Sequence, residues 1–558
     1  MTLSPAKVQP ALIGLDDETR EMVLDMVAQL KKRLLTPDKI YDFDRREHFP
    51  EEIIREMLSP EIGLQLMFIP EAYGGMGGGA RDCFAVTRDL CKICLGVGTA
   101  FFAIQLGADP LMVGGTEEQK EKWLGAIAQG DTLVAYAVTE AGAGSNLAAL
   151  KTKADPQIDA EGKISGYRIN GSKQFISTGG YADYVTVLAN APEGPTFFVV
   201  EKGTEGFHQG KGEEKHGIRA SNTSPLTFDD VFVPLENLIG GVPGKGLKQA
   251  NQVFGYTRLM VGAMALGAGE AALEIAIPYA RERIQFGGPL SEKQGYTHKL
   301  IVPHVVQMEA ARAYMDEVAR RLDSGESDLI VEGSIAKLFT TECANDTADN
   351  AMQALGGYGY ISEFGVEKIK RDVKITCIYE GTSEIQQNII STYRWKATRK
   401  SKGQFYETAA LEMDNIAATH PEIGANFYAL ATRALNAAID LAHTHRLTRR
   451  QHLMFALADM MTYVEVGAAL ARKAADLSAS GDHQAERIVL AARIFAHQVV
   501  DLTDRNLRTV LYDCEALDDP DDARRREFLA NLGHPAMLGS AKGVVPAMDR
   551  LADIIFDR

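Results

Sequence analysis

The sequence predicts an α+β chain with four parts: an N-terminal helical domain, a middle β-barrel-like domain, a C-terminal helix bundle and an extra C-terminal helical domain. Three observations predict it. Apolar residues follow a helical period up to about residue 130, short β-rich runs broken by Gly, Pro and Asn take over from 131, and helical patterns return after 246 and continue to the end. The expected boundaries are 1–130, 131–245, 246–400 and 401–558, and 558 residues are enough for about three to four domains.

In chain order, "DETREMVLDMVAQLKKRLL" (17–35) places Met22, Leu24, Met26, Val27, Leu30 and Leu34 near a 3.6-residue period, and "EEIIREMLSP" (51–60) begins a second helix. "IPEAYGGMGGG" (69–79) is a glycine-rich loop without the preceding strand and following lysine of a phosphate loop. Thr116 opens a helix with a capping box, and a glycine at 130 stops it. The runs "TLVAYAVTE", "KISGYRINGSKQFIS", "YVTVLANA", "PTFFVVEKG" and "PLTFDDVFVP" read as strands of a compact β domain. Long helical patterns follow, among them "LMVGAMALGAGEAALEIAI" (259–277), a buried helix rich in alanine and glycine. In the last segment Leu453, Leu457, Met460, Met461, Val464, Ala468 and Ala471 form one apolar stripe that must be covered.

Composition excludes several classes. With 46% hydrophobic and 24% charged residues the chain reads as an ordinary soluble protein, and a net charge of −16 argues against nucleic-acid binding. No signal peptide opens it and no 18-residue uncharged run crosses a membrane, so a cytoplasmic protein is expected. Of the six cysteines, Cys91 and Cys94 form one Cys-x-x-Cys pair that lacks a second pair for zinc; on one helical face they read as packing. No metal site is expected.

Several short stretches carry chemistry. In "IYEGTSEIQ" (378–386) Thr382 and Ser383 start a helix, with Ser383 and Gln386 spaced as a capping box. Glu380 is either an acid favoured by the helix dipole or a catalytic base on a turn that Gly381 permits. "YAVTEAGAGSN" and "KQFISTGG" each end a strand in a turn with hydroxyls, Thr139 with Ser145 and Ser177, that could meet something flat and polar. Taken singly, Arg283 reads as a surface arginine and "QALGGYGY" (353–360) as a helix C-cap.

The order of these pieces resembles the acyl-CoA dehydrogenase family over residues 15–400. Seven segments carry the resemblance in family order: "IPEAYGGMG", "YAVTEAGAGSN", "INGSKQFISTGG", "KHGIRASNTSPLTFDDVFVPLENLIG", "RERIQFGGPL", "QALGGYGY" and "IYEGTSEIQ". The resemblance implies FAD as cofactor and α,β-dehydrogenation of an acyl-CoA thioester. Glu380 then removes the α-proton while the β-hydrogen leaves as hydride to flavin N5. A family branch with its base on the helix of "FGYTRLMVGA" is set aside, because the matching residue here is Thr257. By the same resemblance Tyr136, Val138, Thr139, Gly144, Ser145, Phe175 and Ser177 line the flavin. Arg283, Gln285, Phe286, Gln294, Gln353 and Gly357 reach its pyrophosphate and adenosine across a dimer interface, and Thr382 and Glu384 close over it. Ser145, Phe254, Arg258, Tyr379 and Gly381 meet the substrate. Two positions depart from the family pattern: Asn146 stands for an Asp and Phe175 for a Trp, so the indole N–H is lost.

Further expectations follow from the resemblance. Glutaryl-CoA-specific relatives carry an arginine near Val97, whose neighbours here are Gly96, Gly98, Phe101 and Phe102; an apolar, medium- to long-chain acyl tail is expected. An electron-transferring flavoprotein is the expected acceptor, with an acyl-CoA oxidase and a DNA-binding flavoprotein of the same fold as alternatives. "HRLTRRQH" (445–452) is the feature that favours the latter, and it reads as a solvated helix end. The last segment resembles the extension of the very-long-chain branch, which makes a homodimer the expected assembly and membrane-surface attachment the lesser use of its stripe.

Overall fold

The computed structural model describes residues 14–326 and 328–558. It has the expected order of helices, a sheet and helices, with further helices beyond residue 400. The chain forms two compact units. The first runs up to Ala268 and takes in Ala319–Ile330 and Arg371–Thr376; the second comprises Gly269–Val318, Val331–Lys370 and Cys377–Arg558.

In the first unit, helix Asp17–Arg33 is capped by Asp16, whose carboxylate accepts the Thr19 amide. Its buried residues are Val23, Val27 and Leu30, while Met22 is exposed, so the expected stripe is one residue out of phase at its start. A helix the periodicity did not predict, Pro37–Arg46, follows with proline in its first turn. The Thr116 capping box forms: its hydroxyl accepts the Gln119 amide and Gln119 Oε1 accepts the Thr116 amide. Cys91 and Cys94 are both buried, but Cys94 ends helix Ala80–Ile93 in an extended conformation instead of sharing a helical face with Cys91.

The middle sheet has seven strands: β1 (Val134–Ala137), β2 (Lys153–Ile158), β3 (Ile164–Ser177), β4 (Tyr184–Ala191), β5 (Gly194–Glu201), β6 (Phe207–Gln209) and β7 (Thr223–Pro234). Their order is β1-β4-β2-β3-β7-β6, with β5 paired to β4; β1 runs parallel to β4, while β3 pairs antiparallel with both β2 and β7. Inward residues such as Tyr167, Ile169, Val187, Phe198, Leu226 and Val231 form one core. Helix Leu95–Gly114 lies close on β1. At Gly107 a Cβ would come within 2.6 Å of the Val134 side chain, so only glycine fits.

In the second unit the stripe of helix Gln451–Ser480 is buried from Leu453 to Ala471, packed on helices Ala485–Tyr512 and Ser383–Lys400. Tyr463 stacks on Phe495, and both meet Phe339 edge-on. Among the described residues three helices, Leu95–Gly114, Gly246–Glu282 and Gln451–Ser480, are long and apolar enough to cross a membrane by length and composition, yet 72–78% of those windows is buried within the protein.

Candidate active site

The residues singled out in the sequence fall into clusters, each within one unit. In the second unit, Glu380 and Gly381 both have positive φ, 56° and 91°, so the turn is left-handed at two successive positions. Glycine adopts this freely, whereas glutamate does so only where its surroundings hold it. Two fully buried side chains hold it. Lys337 Nζ donates to the Gly381 carbonyl at 2.7 Å, and Gln386 Nε2 donates to the Glu380 and Gly381 carbonyls at 3.1 and 2.8 Å. Gln386 is thereby taken from the capping box expected with Ser383. The helix Ser383–Lys400 has Thr382 as N-cap without a side-chain bond, and the Ser383 hydroxyl donates to Glu342. Thr382 is half-buried and Glu384 exposed at this helix start; Tyr379 is half-buried beside Glu380.

A second feature of this unit is a cavity of about 620 Å³, lined by Arg283, Gln285, Gln353, Gly356, Gly357 and Tyr358 among others. The Arg283 guanidinium lies 5.7 Å over the Tyr358 ring. A Cβ at Gly356 or Gly357 would meet nothing within 4 Å, so the backbone there is open to a ligand. Two predicted residues lie elsewhere. Phe286 tops the hairpin of β8 (Ile284–Gln285) and β9 (Gly288–Pro289), 96% exposed and at φ 48°. Gln294 donates to Asp549 at 2.8 Å, on helix Val544–Phe556.

In the first unit, the two polar strand ends meet: the Gln174 amide donates to the Thr139 carbonyl at 2.9 Å, so the turn after β1 and the end of β3 share one edge. Beneath them is an ion pair that the sequence did not disclose. Buried Lys173 donates to Glu140 Oε1 at 2.8 Å and to the Val138 carbonyl at 3.0 Å, and Glu140 also accepts the Lys151 and Thr152 amides. Burial pushes the Glu140 carboxyl up, but these bonds from Lys173, Thr152 and Lys151 outweigh it and hold it at about 2. The pair pins the loop that carries Gly144 and Ser145, both exposed. Phe175 stands on the same edge at φ 61° and 62% exposed, where the pairing of β3 with β7 shifts register, with Ser177 two residues on. Val138 is buried. On helix Gly246–Glu282, Phe254 meets the Tyr136 ring edge-on at 6.4 Å, and Thr257 and Arg258 are buried. Hydroxyls, open glycine backbone and a projecting aromatic suit a flat polar ring system, and the arginine-lined cavity suits a dinucleotide's phosphates and adenosine.

Comparison with known proteins agrees. The sequence matches three domain families in succession: "Acyl-CoA dehydrogenase, N-terminal domain" over 17–131, "middle domain" over 135–231 and "C-terminal domain" over 244–393. It is 38% identical over 387 residues to an acyl-CoA dehydrogenase of Bacillus subtilis, covering 67% of this chain and 98% of that one. The chain belongs to the acyl-CoA dehydrogenase family.

It is also 37% identical to a short-chain-specific acyl-CoA dehydrogenase of Clostridium acetobutylicum, across 67% of this chain and 97% of that protein. Butyryl-CoA dehydrogenase from Megasphaera elsdenii superposes with a TM-score of 0.64 at 36% identity, covering 68% and 98% of the two chains. An acyl-CoA dehydrogenase from Bacillus anthracis, solved with FAD, superposes with a TM-score of 0.84 over 99% of both chains at 22% identity, so the fold of the C-terminal helices is shared too. The protein is therefore an FAD-dependent oxidoreductase of this family. Replacing Arg283 by Ala is expected to lower FAD retention more than turnover, because a guanidinium at the pyrophosphate contributes charge-assisted hydrogen bonds and none to the reacting carbons. The flavin-to-protein ratio of the purified variant checks it; full FAD with crippled flavin reduction would count against this placement.

Proposed function

We propose that the protein converts a saturated acyl-CoA thioester to the trans-2-enoyl-CoA, with Glu380 taking the α-proton. The observation that carries this is the Glu380–Gly381 turn, left-handed at both residues and held by Lys337 and Gln386. An α-proton next to a thioester is weakly acidic, so its base must be fixed in position and the developing enolate must meet fixed donors. The Glu380 backbone N–H is one such donor in this reading, and the left-handed turn sets where it points. FAD, when bound, supplies the acceptor for the β-hydrogen and its electron pair. In this reading an electron-transferring flavoprotein then takes the electrons onward, and the acyl-CoA is one undergoing fatty-acid β-oxidation.

The acyl tail in this reading is apolar. Residues 93–108 contain no charged side chain, and Val97, Phe101 and Phe102 are buried. Anaerobic addition of butyryl-, octanoyl-, palmitoyl- and glutaryl-CoA to the FAD-loaded protein tests this. Bleaching of the flavin by one or more straight-chain thioesters with enoyl-CoA formed in equal amount is expected; bleaching by glutaryl-CoA alone would refute the apolar tail.

The assembly in this reading is a homodimer. Phe286, Ile284, Tyr360 and Ile361 expose apolar surface on the hairpin and on the segment after Gly356, whose residues line the arginine-lined cavity, a placement that suits cover by a second copy. Light scattering is expected to give the mass of two chains, with two FAD; four chains would contradict it.

A further inference from the structure

The C-terminal extension grips the helix that begins at the catalytic turn. Along Ser383–Lys400, four side chains on one helical face bond to residues beyond 401. Gln387 Nε2 donates to Asp459 Oδ1 at 2.8 Å, Arg394 is bidentate to Glu465 at 2.8 Å on each oxygen, Trp395 Nε1 donates to His443 Nδ1 at 3.3 Å, and Arg399 pairs with Asp440. At 3.6 residues per turn the four positions span about 140° of the helix circumference, so the helix is held from one side between Gln387 and Arg399. The first of these bonds is the one that bears on chemistry. Gln387 follows Gln386, whose amide holds the Glu380 and Gly381 carbonyls, so Gln386 closes the first turn of the helix and Gln387 opens the second. Asp459 sits in a partly desolvated place: burial pushes its carboxyl up, while the Gln387 amide and Arg505 pull it down.

We propose that Asp459, on the C-terminal extension, is a positioning residue for proton abstraction, because its hydrogen bond to Gln387 fixes the start of the helix, where the adjoining Gln386 holds the Glu380 turn. The proposal rests on Glu380 being the base. A base displaced by about 1 Å can lose up to 10²-fold in rate, so a helix start that drifts by a fraction of that is felt at the reacting carbon. The extension is then part of the catalytic scaffold as well as a cover for apolar surface.

The test measures anaerobic flavin reduction by octanoyl- and palmitoyl-CoA in the full-length, FAD-loaded protein. Asp459→Ala is expected to lower the maximal reduction rate roughly tenfold, with apparent acyl-CoA affinity and flavin-to-protein ratio unchanged. Asp459→Asn, which keeps an oxygen facing Gln387, is expected to restore the rate. If Asp459→Ala does not fold, Gln387→Met removes the same bond from the other side and carries the same expectation. A normal rate in Asp459→Ala, or in Gln387→Met, beside an inactive Glu380→Gln would overturn this proposal alone; so would a loss that Asp459→Asn fails to restore. An active Glu380→Gln would overturn the base assignment and this proposal with it.

Discussion

Glu380→Gln is expected to give a folded, yellow, FAD-loaded protein whose flavin acyl-CoA reduces about 10²–10⁴-fold more slowly than in the parent, the usual cost of losing a positioned general base. The amide has the shape of the carboxylate and the same backbone demand, so the turn held by Lys337 and Gln386 should persist. Only the capacity to accept the α-proton is lost. Stopped-flow absorbance at the flavin band reads the rate, and the flavin-to-protein ratio controls for folding. A variant that keeps more than a tenth of the parent rate would place the base elsewhere.

The second large effect concerns stability. Arg394 joins Glu465 and Glu332 in a nearly dry cluster, with Glu332 3.0 Å from its guanidinium and the Tyr406 hydroxyl donating to Glu465 at 3.0 Å. Burial works against the guanidinium's charge, but the two carboxylates outweigh it and push its pKa far up. Arg394→Met removes the cation and leaves two carboxylates facing each other, which is expected to destabilise the protein by about 3–5 kcal/mol. Arg394→Lys should recover only part, since an ammonium cannot bind a carboxylate through two parallel N–H groups. The midpoint of urea unfolding measures both; an unchanged midpoint in Arg394→Met would show that the cluster contributes nothing net.

Much of this was legible in the sequence because it is local. The β-rich runs of β1, β3, β4, β5 and β7, bounded by Gly, Pro and Asn, and the apolar stripe from Leu453 to Ala471 announce themselves by composition and period. β2 escaped notice because Pro156 interrupts it and its burial alternates only at the start, and β6 because three residues carry no period. The capping box at Thr116 formed while the one at Ser383 did not, although both have the right spacing. At the second site Gln386 has a stronger demand on it, two carbonyls of a left-handed turn five and six residues back. Met22 was misplaced because methionine reads as apolar wherever it falls, and the true seam begins at Val23.

The organisers of the site were not legible. Glu140 with Lys173 and Lys337 with Gly381 pair residues 33 and 44 positions apart. Nothing in the sequence alone distinguishes a lysine buried on such a partner from a solvated one. The available signal is that Lys337 stands inside an otherwise uncharged helical run, "SIAKLFTT", where a charge needs a reason. Likewise the positive φ shared by Phe175, Phe286 and Glu380 leaves no mark in residue type.

Exchange of the substrate's α-hydrogen with solvent tests the central claim most directly. Parent protein and Glu380→Gln, both FAD-loaded, are held anaerobically with octanoyl-CoA or palmitoyl-CoA in D2O, and the recovered thioester is analysed by mass spectrometry. Deuterium at the α-carbon is expected with the parent and none above the enzyme-free control with Glu380→Gln. Incorporation by Glu380→Gln at the parent's rate would contradict the assignment of Glu380 as the base.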